Sequence, residues 1–222
     1  MFSYYGSKTK LAKLYPPPIH DIVVEPFAGA AKYSLLHWEK NCLLVDADLN
    51  IIKIWRWLQE CSPNDILSLP KFKRGDTIKG INWDCEGQAL FMGYMMGRGL
   101  ATPQYQVSSF VASEKQYHFE FTYKRIANDL YKIRHWQIYL GDYLNLSNKE
   151  ATWFIDPPYQ FGGQYYRMNN KLLDYNELAI FCQQRKGQVI VCENTKANWL
   201  PFVPLKQIQG TIHKTVEAVY IK

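Results

Sequence analysis

Four consecutive residues, Asp156-Pro157-Pro158-Tyr159, combine a carboxylate, a rigid turn and an aromatic ring. They follow the apolar run 153–155, which predicts a buried strand, and open α/β sheets bind their ligands beyond the carboxyl ends of such strands. Because proline fixes the backbone, a carboxylate and a main-chain carbonyl are held close together. The pair can accept both N–H bonds of a flat aromatic amine while the tyrosine stacks on its ring. The alternative is an ordinary turn in which Asp156 caps a helix.

A second group of small residues joins a predicted strand to a predicted helix between Glu25 and Ala31. Small side chains at such a turn let a ligand approach the backbone closely. The glycine pattern of dinucleotide-binding proteins is absent, and Glu25 would repel a pyrophosphate, so a cofactor with a cationic amine fits better. Asp48, nineteen residues after Gly29, is placed to hold ribose hydroxyls. Asp48 is alternatively the N-cap of the next helix, and Asp46 is a rival ribose ligand.

Two further short segments carry polar and aromatic residues. Gly141-Asp142-Tyr143 follows a predicted strand, where Asp142 can accept a hydrogen bond from the exocyclic amine of a bound adenine, with Tyr143 beside it. A polar turn is the alternative there. Tyr4-Tyr5-Gly6-Ser7-Lys8 is too short for a phosphate-binding loop and by itself is only a basic terminus.

These segments need elements to position them, and the hydrophobic pattern predicts an α/β order. Strands are predicted at 21–25, 42–46, 137–141, 153–155 and 188–192, with a closing hairpin around Gly210 formed by 203–209 and 214–221. Helices are predicted at 32–40, 51–58, 119–136 and 174–185, the last from the capping-box spacing of Asp174 and Glu177. A strand, a small-residue turn, a helix and a second strand in this order begin a parallel sheet.

The length and composition limit the classes of protein. Of the 222 residues, 47% are hydrophobic and 21% are charged, which excludes global disorder. This length favours one domain with an insertion. The pattern changes at 61–130, so this range is predicted to be an inserted subdomain between two halves of one domain, 1–60 and 131–222. The net charge of +6 and the aromatic content of 15% permit a polyanionic partner without requiring one.

The sequence also predicts the compartment. No run of about 18 apolar residues is present, so no membrane span is expected, and the N-terminus lacks the pattern of a secretory signal. The five cysteines show no Cys-x-x-Cys spacing, which predicts reduced thiols in the cytoplasm. The five histidines are scattered, so no metal site is expected. The size and the lack of targeting signals are typical of a bacterial or phage protein.

In chain order, the motifs resemble one family. Tyr-x-Gly-Ser-Lys, Glu-Pro-Phe-x-Gly, Asp-Leu-Asn, an insertion, Gly-Asp-Tyr and Asp-Pro-Pro-Tyr are arranged as in the Dam-like class of N6-adenine DNA methyltransferases. The resemblance covers about 2–60 and 135–222 and is weakest in the insertion. It implies an α/β fold with a Rossmann-like class I methyltransferase sheet closed by a C-terminal hairpin. The insertion is then a mostly helical target-recognition subdomain.

The same resemblance implies S-adenosylmethionine as the cofactor, double-stranded DNA as the partner and a flipped-out adenine as the acceptor. Asp156 and Pro157 would accept from the target N6, Tyr159 would stack on the base, and Pro158 completes the turn. The residues that it assigns to the cofactor are Tyr4, Tyr5 and Lys8 at the methionine end, Glu25, Phe27 and Gly29 in the first turn, Asp48 on the ribose, and Asp142 and Tyr143 on the adenine. The family often has a further glycine where Ala30 and Ala31 stand, and alanine is small enough for the cofactor to fit.

DNA contacts are expected from the insertion and from 160–167, which would be a mobile loop over the flipped base. The candidates are Arg98, Lys115, Lys124, Arg125, Tyr165 and Arg167, with Lys71, Lys73 and Arg74 as further cations. A solvated surface charge is the alternative for each cation. The transfer needs no metal, and a monomer is favoured.

Three other interpretations stay open. The methyl acceptor is RNA or a protein amide in the first, although those enzymes more often carry Asn in place of Asp156. The second is a nicotinamide oxidoreductase, which the missing glycine pattern and Glu25 disfavour. The third is a non-catalytic DNA-binding relic, which the intact Asp-Pro-Pro-Tyr segment disfavours.

Overall fold

A seven-stranded sheet forms the centre of the computed structural model, which describes residues 1–97, 99–108, 117–209 and 214–222. The strands are β1 (Ile22–Glu25), β2 (Asn41–Asp46), β3 (Gln137–Leu140), β4 (Ala151–Ile155), β5 (Gly187–Asn194), β6 (Val203–Gln209) and β7 (Lys214–Ile221). Their order across the sheet is β3-β2-β1-β4-β5-β7-β6. Strands β1 to β5 pair in parallel, and β7 is antiparallel to both β5 and β6. The predicted α/β class is confirmed, and the sheet is compatible with a Rossmann-like fold.

Both faces of the sheet are covered, which explains why its central strands are almost uniformly apolar. Successive side chains of a strand point to opposite faces. Val23 and Phe154 accordingly belong to one buried cluster, while Val24 and Trp153 belong to the other. All five residues of β4 are buried. This rigid strand leads directly into Asp156.

Six helices of the described chain complete the layers. They are α1 (Lys32–Leu36), α2 (Leu49–Glu60), α3 (Pro63–Leu67), α4 (Glu86–Met95), α5 (Tyr117–Asp129) and α6 (Tyr175–Gln184). Asp174 is the N-cap of α6, since its carboxylate accepts from the backbone N–H groups of Asn176 and Glu177, and this is one half of the predicted capping box. Two predicted helices are too long. The first ends at Leu36 because the backbone leaves the helical region at His37, and α5 gives way to a 3-10 turn, Leu130–Ile133.

The range 61–130 shares its buried core with the sheet. Ile66, Phe91 and Tyr123 belong to the same cluster as Phe2 and Val23. The sequence of 83–123 does not show the apolar and polar faces of an amphipathic helix. Helix α4, which lies in this range, is buried on most of its surface and therefore has no polar face. Gly87 lets α4 approach α2 closely, since a Cβ atom there would lie 2.5 Å from the Lys53 carbonyl oxygen.

The C-terminal strands form the predicted antiparallel pair, β6 with β7. The expected turn at Gly210 lies outside the described residues. No disulfide joins the five cysteines, all of which the structure describes. Among the described helices, none has the length and apolar character needed to cross a membrane.

Candidate active site

A cleft opens at the carboxyl ends of the parallel strands and measures about 950 Å³ out to open solvent. The turn after β1, the β2–α2 loop, the segment after β3 and the turn after β4 all reach it, as the parallel order requires. The cleft is lined by all nine residues assigned to the cofactor from the sequence: Tyr4, Tyr5, Lys8, Glu25, Phe27, Gly29, Asp48, Asp142 and Tyr143. Asp156 and Pro158 also line it. Segments that are far apart in the sequence therefore share one site.

The turn between β1 and α1 is tight and partly strained. Gly29 and Ala31 both have φ of +44°, a left-handed conformation that costs alanine about 1–2 kcal/mol. Ala31 thus adopts a glycine-like conformation. Glu25 is buried, and its Oε1 accepts from the backbone N–H of Ser34 at 2.7 Å. Burial raises the pKa of Glu25 to about 8, so its carboxyl is mostly protonated at neutral pH.

The two aspartates after β2 have different roles. Both oxygens of Asp46 accept backbone N–H bonds, from Gly29 at 2.9 Å and from Asp48 at 2.8 Å, so Asp46 fixes the loop. Oδ1 of Asp48 caps α2 through Asn50 at 2.9 Å. Oδ2 of Asp48 is buried and has no hydrogen-bond partner among the described residues. Asp48 is therefore both the predicted N-cap and the better placed of the two carboxylates to accept from a ligand.

Aromatic and polar groups meet at the far end of the cleft. The rings of Phe27 and Tyr143 pack with their centroids 5.2 Å apart, and Tyr143 also packs edge-on against Phe181. Asp142 is exposed, and its Oδ1 accepts from the Leu144 backbone at 2.9 Å. The polar turn weighed for Asp142 is present, and the side chain lines the cleft as well.

Lys8 lies beside the turn that follows β4. Its Nζ is 2.8 Å from Oδ1 of Asp156 and 4.7 Å from the ring centroid of Tyr159. Burial raises the pKa of Asp156 to about 6, an effect that the Lys8 ammonium opposes and Glu217 reinforces. The Pro158 carbonyl accepts from the Tyr175 hydroxyl at 2.6 Å. The turn is thus fixed by packing and hydrogen bonds as well as by its prolines.

A second cavity of about 1240 Å³, measured out to open solvent, adjoins the cleft. Tyr159, Phe161 and Asn194 line it, and Lys8 lines both spaces. Glu217 on β7 also lines it, and its Oε1 accepts from the hydroxyls of Tyr159 and Tyr15. The cleft and this cavity therefore meet at Lys8, with Tyr159 in the wall of the cavity.

Glu217 and Glu193 were missed in the sequence. Glu217 is buried and lies between apolar neighbours on an alternating strand. Glu193 is fully buried, and its Oε2 accepts from the backbone N–H of Gln160 at 2.7 Å. Burial raises the pKa of Glu193 to about 7. The available signals were an acidic residue inside the predicted strand 214–221, for Glu217, and an acidic residue directly after the predicted strand 188–192, for Glu193.

Residues 160–173, here called the covering segment, extend from the turn after β4 across the cleft. Tyr166 lies directly against Gly6, because a Cβ atom on Gly6 would fall 1.9 Å from the Tyr166 hydroxyl oxygen. Arg167 Nη1 is 3.0 Å from Oδ1 of Asp48. The ring of Tyr165 packs edge-on against Tyr5. Arg167 and Tyr165, expected at the DNA, therefore contact residues that line the cleft.

The remaining cations expected at DNA are spread over the insertion. Lys124 pairs with Glu120 at 2.9 Å on the exposed side of α5, and Arg125 donates to the Met1 carbonyl at 3.4 Å. Lys71, Lys73 and Arg74 are exposed. Arg98 and Lys115 lie outside the described residues.

The described residues contain no group of three or more His, Cys, Asp or Glu side chains placed to hold a metal ion. No protein-family model matches the chain, and no curated protein is significantly similar to it. The function of the chain must therefore be inferred from the residues of the site itself.

Proposed function

We propose that this protein transfers a methyl group from S-adenosylmethionine to N6 of a flipped-out adenine in double-stranded DNA. The observation that carries the proposal is the position of Asp156. Its carboxylate lies at the carboxyl end of β4 on the cleft that holds all the residues assigned to the cofactor, and the adjoining cavity is lined by Tyr159. A donor and an acceptor bound in the two spaces would meet beside this carboxylate.

The cleft suits a cationic nucleoside cofactor. Glu25, Asp48 and Asp142 place three carboxyl groups along its wall, and the partnerless Oδ2 of Asp48 suits a ribose hydroxyl. Phe27 and Tyr143 offer apolar surface for a nucleobase. The C-terminal hairpin and the mostly parallel sheet agree with the fold that the family resemblance implies. S-adenosylmethionine, when bound, would supply the methyl group from its sulfonium, with the neutral thioether as the leaving group and one N6 proton lost to solvent.

The chain's own residues activate and position the acceptor. The lone pair of adenine N6 is delocalised into the ring, so the nitrogen is a weak nucleophile. The Asp156 carboxylate and the Pro157 carbonyl accept its two hydrogens and favour a more tetrahedral nitrogen. The family resemblance assigns the second acceptor to the Pro157 carbonyl; Pro157 is buried and lines neither the cleft nor the adjoining cavity, and the neighbouring Pro158 carbonyl accepts from the Tyr175 hydroxyl. The contribution of the protein is mainly positioning and electrostatics.

The test is transfer of labelled methyl from S-adenosylmethionine to unmethylated bacterial DNA, followed by sequencing that maps N6-methyladenine. Label on adenines supports the proposal, and one short motif around them would reveal the recognition sequence. No label on DNA, with S-adenosylmethionine bound, favours RNA or a protein amide as acceptor, or the non-catalytic relic. Failure to bind S-adenosylmethionine contradicts the proposal. That result would favour the alternative interpretation as a nicotinamide oxidoreductase.

Asp156→Ala is expected to abolish methyl transfer while the affinity for S-adenosylmethionine stays within a few fold. The variant removes the acceptor for N6 and leaves the other carboxyl groups of the cleft intact. Cofactor affinity is measured by calorimetry and transfer by the labelled-methyl assay. Turnover close to that of the wild type would refute the role of this carboxylate.

Tyr159→Ala is expected to weaken catalysis through loss of stacking, which is worth roughly 1–3 kcal/mol per base. Tyr159→Phe keeps the ring and loses only the hydroxyl that donates to Glu217, so it separates the contribution of the ring from that of the hydroxyl. If Phe were as damaging as Ala in single-turnover assays, stacking would be the wrong explanation for this residue.

A further inference from the structure

The ammonium of Lys8 occupies the position that the proposed reaction needs for its acceptor. Lys8 is 6% exposed, and its Nζ lies 2.8 Å from Asp156 and over the ring of Tyr159 at 4.7 Å. Its third partner is the Gly6 carbonyl at 3.3 Å. A charge-assisted hydrogen bond and a cation–π contact are both strong in a desolvated site. Lys8 therefore competes with any amine that approaches Asp156.

Glu217 offers the displaced ammonium another carboxylate. Its Oε1 already forms a longer ion pair with Lys8 Nζ at 3.6 Å, so a small movement of the flexible lysine chain would shorten this pair as the one with Asp156 is lost. The same oxygen accepts the hydroxyls of Tyr159 and Tyr15, which hold the carboxylate in place. Glu217 is 4% exposed, and a buried ammonium left without a partner would be costly.

We propose that Glu217 is a positioning residue that takes up the Lys8 ammonium when the acceptor amine binds Asp156, an inference that rests on the proposed methyl transfer. Lys8 then acts as a movable cation that fills the acceptor position in the empty enzyme. The exchange keeps one cation on Lys8 paired throughout and moves no proton. Glu217 acts through Lys8 and does not touch the acceptor.

The test compares Glu217→Gln, Lys8→Met and the double variant. The glutamine keeps an oxygen that accepts from both tyrosine hydroxyls and removes only the charge. Initial rates of methyl transfer to unmethylated bacterial DNA give kcat and KM for DNA at saturating S-adenosylmethionine. Each variant is assayed at a pH on the plateau of its own pH–rate profile, so that shifts of the profile do not affect the comparison. Glu39→Gln and Lys10→Met, at exposed positions, are the matched controls.

Glu217→Gln is expected to raise the KM for DNA about tenfold, because Lys8 is then held by Asp156 alone. Its affinity for S-adenosylmethionine stays within about twofold. In the Lys8→Met background the same substitution has no further effect on KM, since no ammonium is left to move. A merely structural Glu217 would lose the same factor in both backgrounds, and that result overturns the proposal. A KM equal to that of the wild type in the single variant also overturns it.

Glu217→Asp covers the case in which the glutamine variant fails to fold. The shorter side chain keeps the charge but lies farther from Lys8. The KM of this variant for DNA is therefore expected between those of the wild type and Glu217→Gln. In the Lys8→Met background the substitution should have no effect on KM. Dependence on Lys8 supports the proposal, and independence refutes it. Absence of methyl transfer by the wild type refutes the proposed function and this inference together, whereas active wild type with additive variants refutes this inference alone.

Discussion

At the residue scale, the central group is the Asp156 carboxyl. Burial raises its pKa to about 6, while Lys8 lowers it and Glu217 raises it. The ionised carboxylate accepts a hydrogen of N6 strongly, whereas protonation removes its charge and turns one oxygen into a donor, so kcat/KM for DNA is expected to fall as the pH drops through about 6. The pH profile is recorded at a saturating concentration of S-adenosylmethionine, so that the titration of Glu25 in the empty protein does not contribute to it.

The fall of kcat/KM at low pH is the acid limb of the pH profile. Lys8→Met removes the cation that lowers the pKa of Asp156 and is therefore expected to move this acid limb to higher pH. The exposed Lys10→Met is the control and should leave the limb in place. A limb that stays in place or moves to lower pH in Lys8→Met would contradict the assignment of the titration to Asp156. The buried tyrosine neighbours of Asp156 do not interfere, because burial raises their pKa values far above this range.

Glu25 gives a second prediction at this scale. Its pKa is raised from 4.5 to about 8, so the empty protein holds a proton there at neutral pH. A cationic ligand favours the ionised carboxylate, and binding below pH 8 must release that proton. Affinity for S-adenosylmethionine is thus expected to rise with pH up to about 8. Calorimetry in two buffers of different ionisation enthalpy measures the proton release.

Glu25→Gln is expected to bind the cofactor more weakly and with no release of a proton. Glu39→Gln, at an exposed position, should behave as the wild type. Undiminished proton release in Glu25→Gln would place the titrating group elsewhere, with Asp46, whose pKa is about 6, as the next candidate.

The single residues that the sequence revealed are those whose neighbours in the chain form a motif. Asp156 and Glu25 stand at strand ends beside proline, so their positions follow from local order. Glu217 has no motif around it, and its link to Lys8 spans 209 positions, which only the sheet brings together. Arg167 looked like a free cation because its partner Asp48 lies 119 positions away. Pairing across the site is a property of the fold and cannot be read from spacing.

At the element scale, the covering segment connects the two halves of the site. It carries Tyr166 onto Gly6 and Arg167 onto Asp48, so the turn after β4 and the loop after β2 are bridged over the cleft. The arginine side chain is 54% exposed, whereas the aspartate is 3% exposed. Water and salt therefore weaken this ion pair, so it contributes little to holding the segment over the cleft.

Arg167→Ala is expected to speed dissociation of S-adenosylmethionine about two- to fivefold, the range for a partly exposed ion pair. Stopped-flow competition measures this rate. Lys171→Ala, an exposed cation of the same segment, is the control. A loss of DNA affinity with unchanged cofactor dissociation would instead support the DNA contact inferred from the sequence.

The strands were easier to predict than the helices because their signals differ in kind. A buried parallel strand is a short apolar run, and β1, β2, β4 and β5 all show one. The boundaries of α1 and α5 depend on where the backbone turns, which no apolar period marks. Helix α4 is buried at most of its positions and has no distinct polar face. Its sequence therefore shows no amphipathic period from which a helix could be predicted.

At the scale of the whole molecule, the insertion is part of the core that supports the site. Phe91 of α4 is fully buried and packs against Trp57 of α2 with ring centroids 5.0 Å apart. The loop before α2 carries Asp48. A change at the centre of α4 is therefore expected to reach the cleft through one packed helix, α2. A separate recognition module would not be coupled in this way.

Phe91→Ala is expected to destabilise the protein by about 3–5 kcal/mol, the usual range for a buried phenylalanine. Phe121→Ala, 70% exposed on α5, is the matched control and should change the free energy of unfolding by less than about 0.5 kcal/mol. Because α4 and the sheet share one cluster, amide protection in β4 should fall together with that in α4 in the Phe91 variant. Hydrogen exchange read by mass spectrometry measures both segments. Unchanged protection in β4 would show that the insertion unfolds as an independent unit.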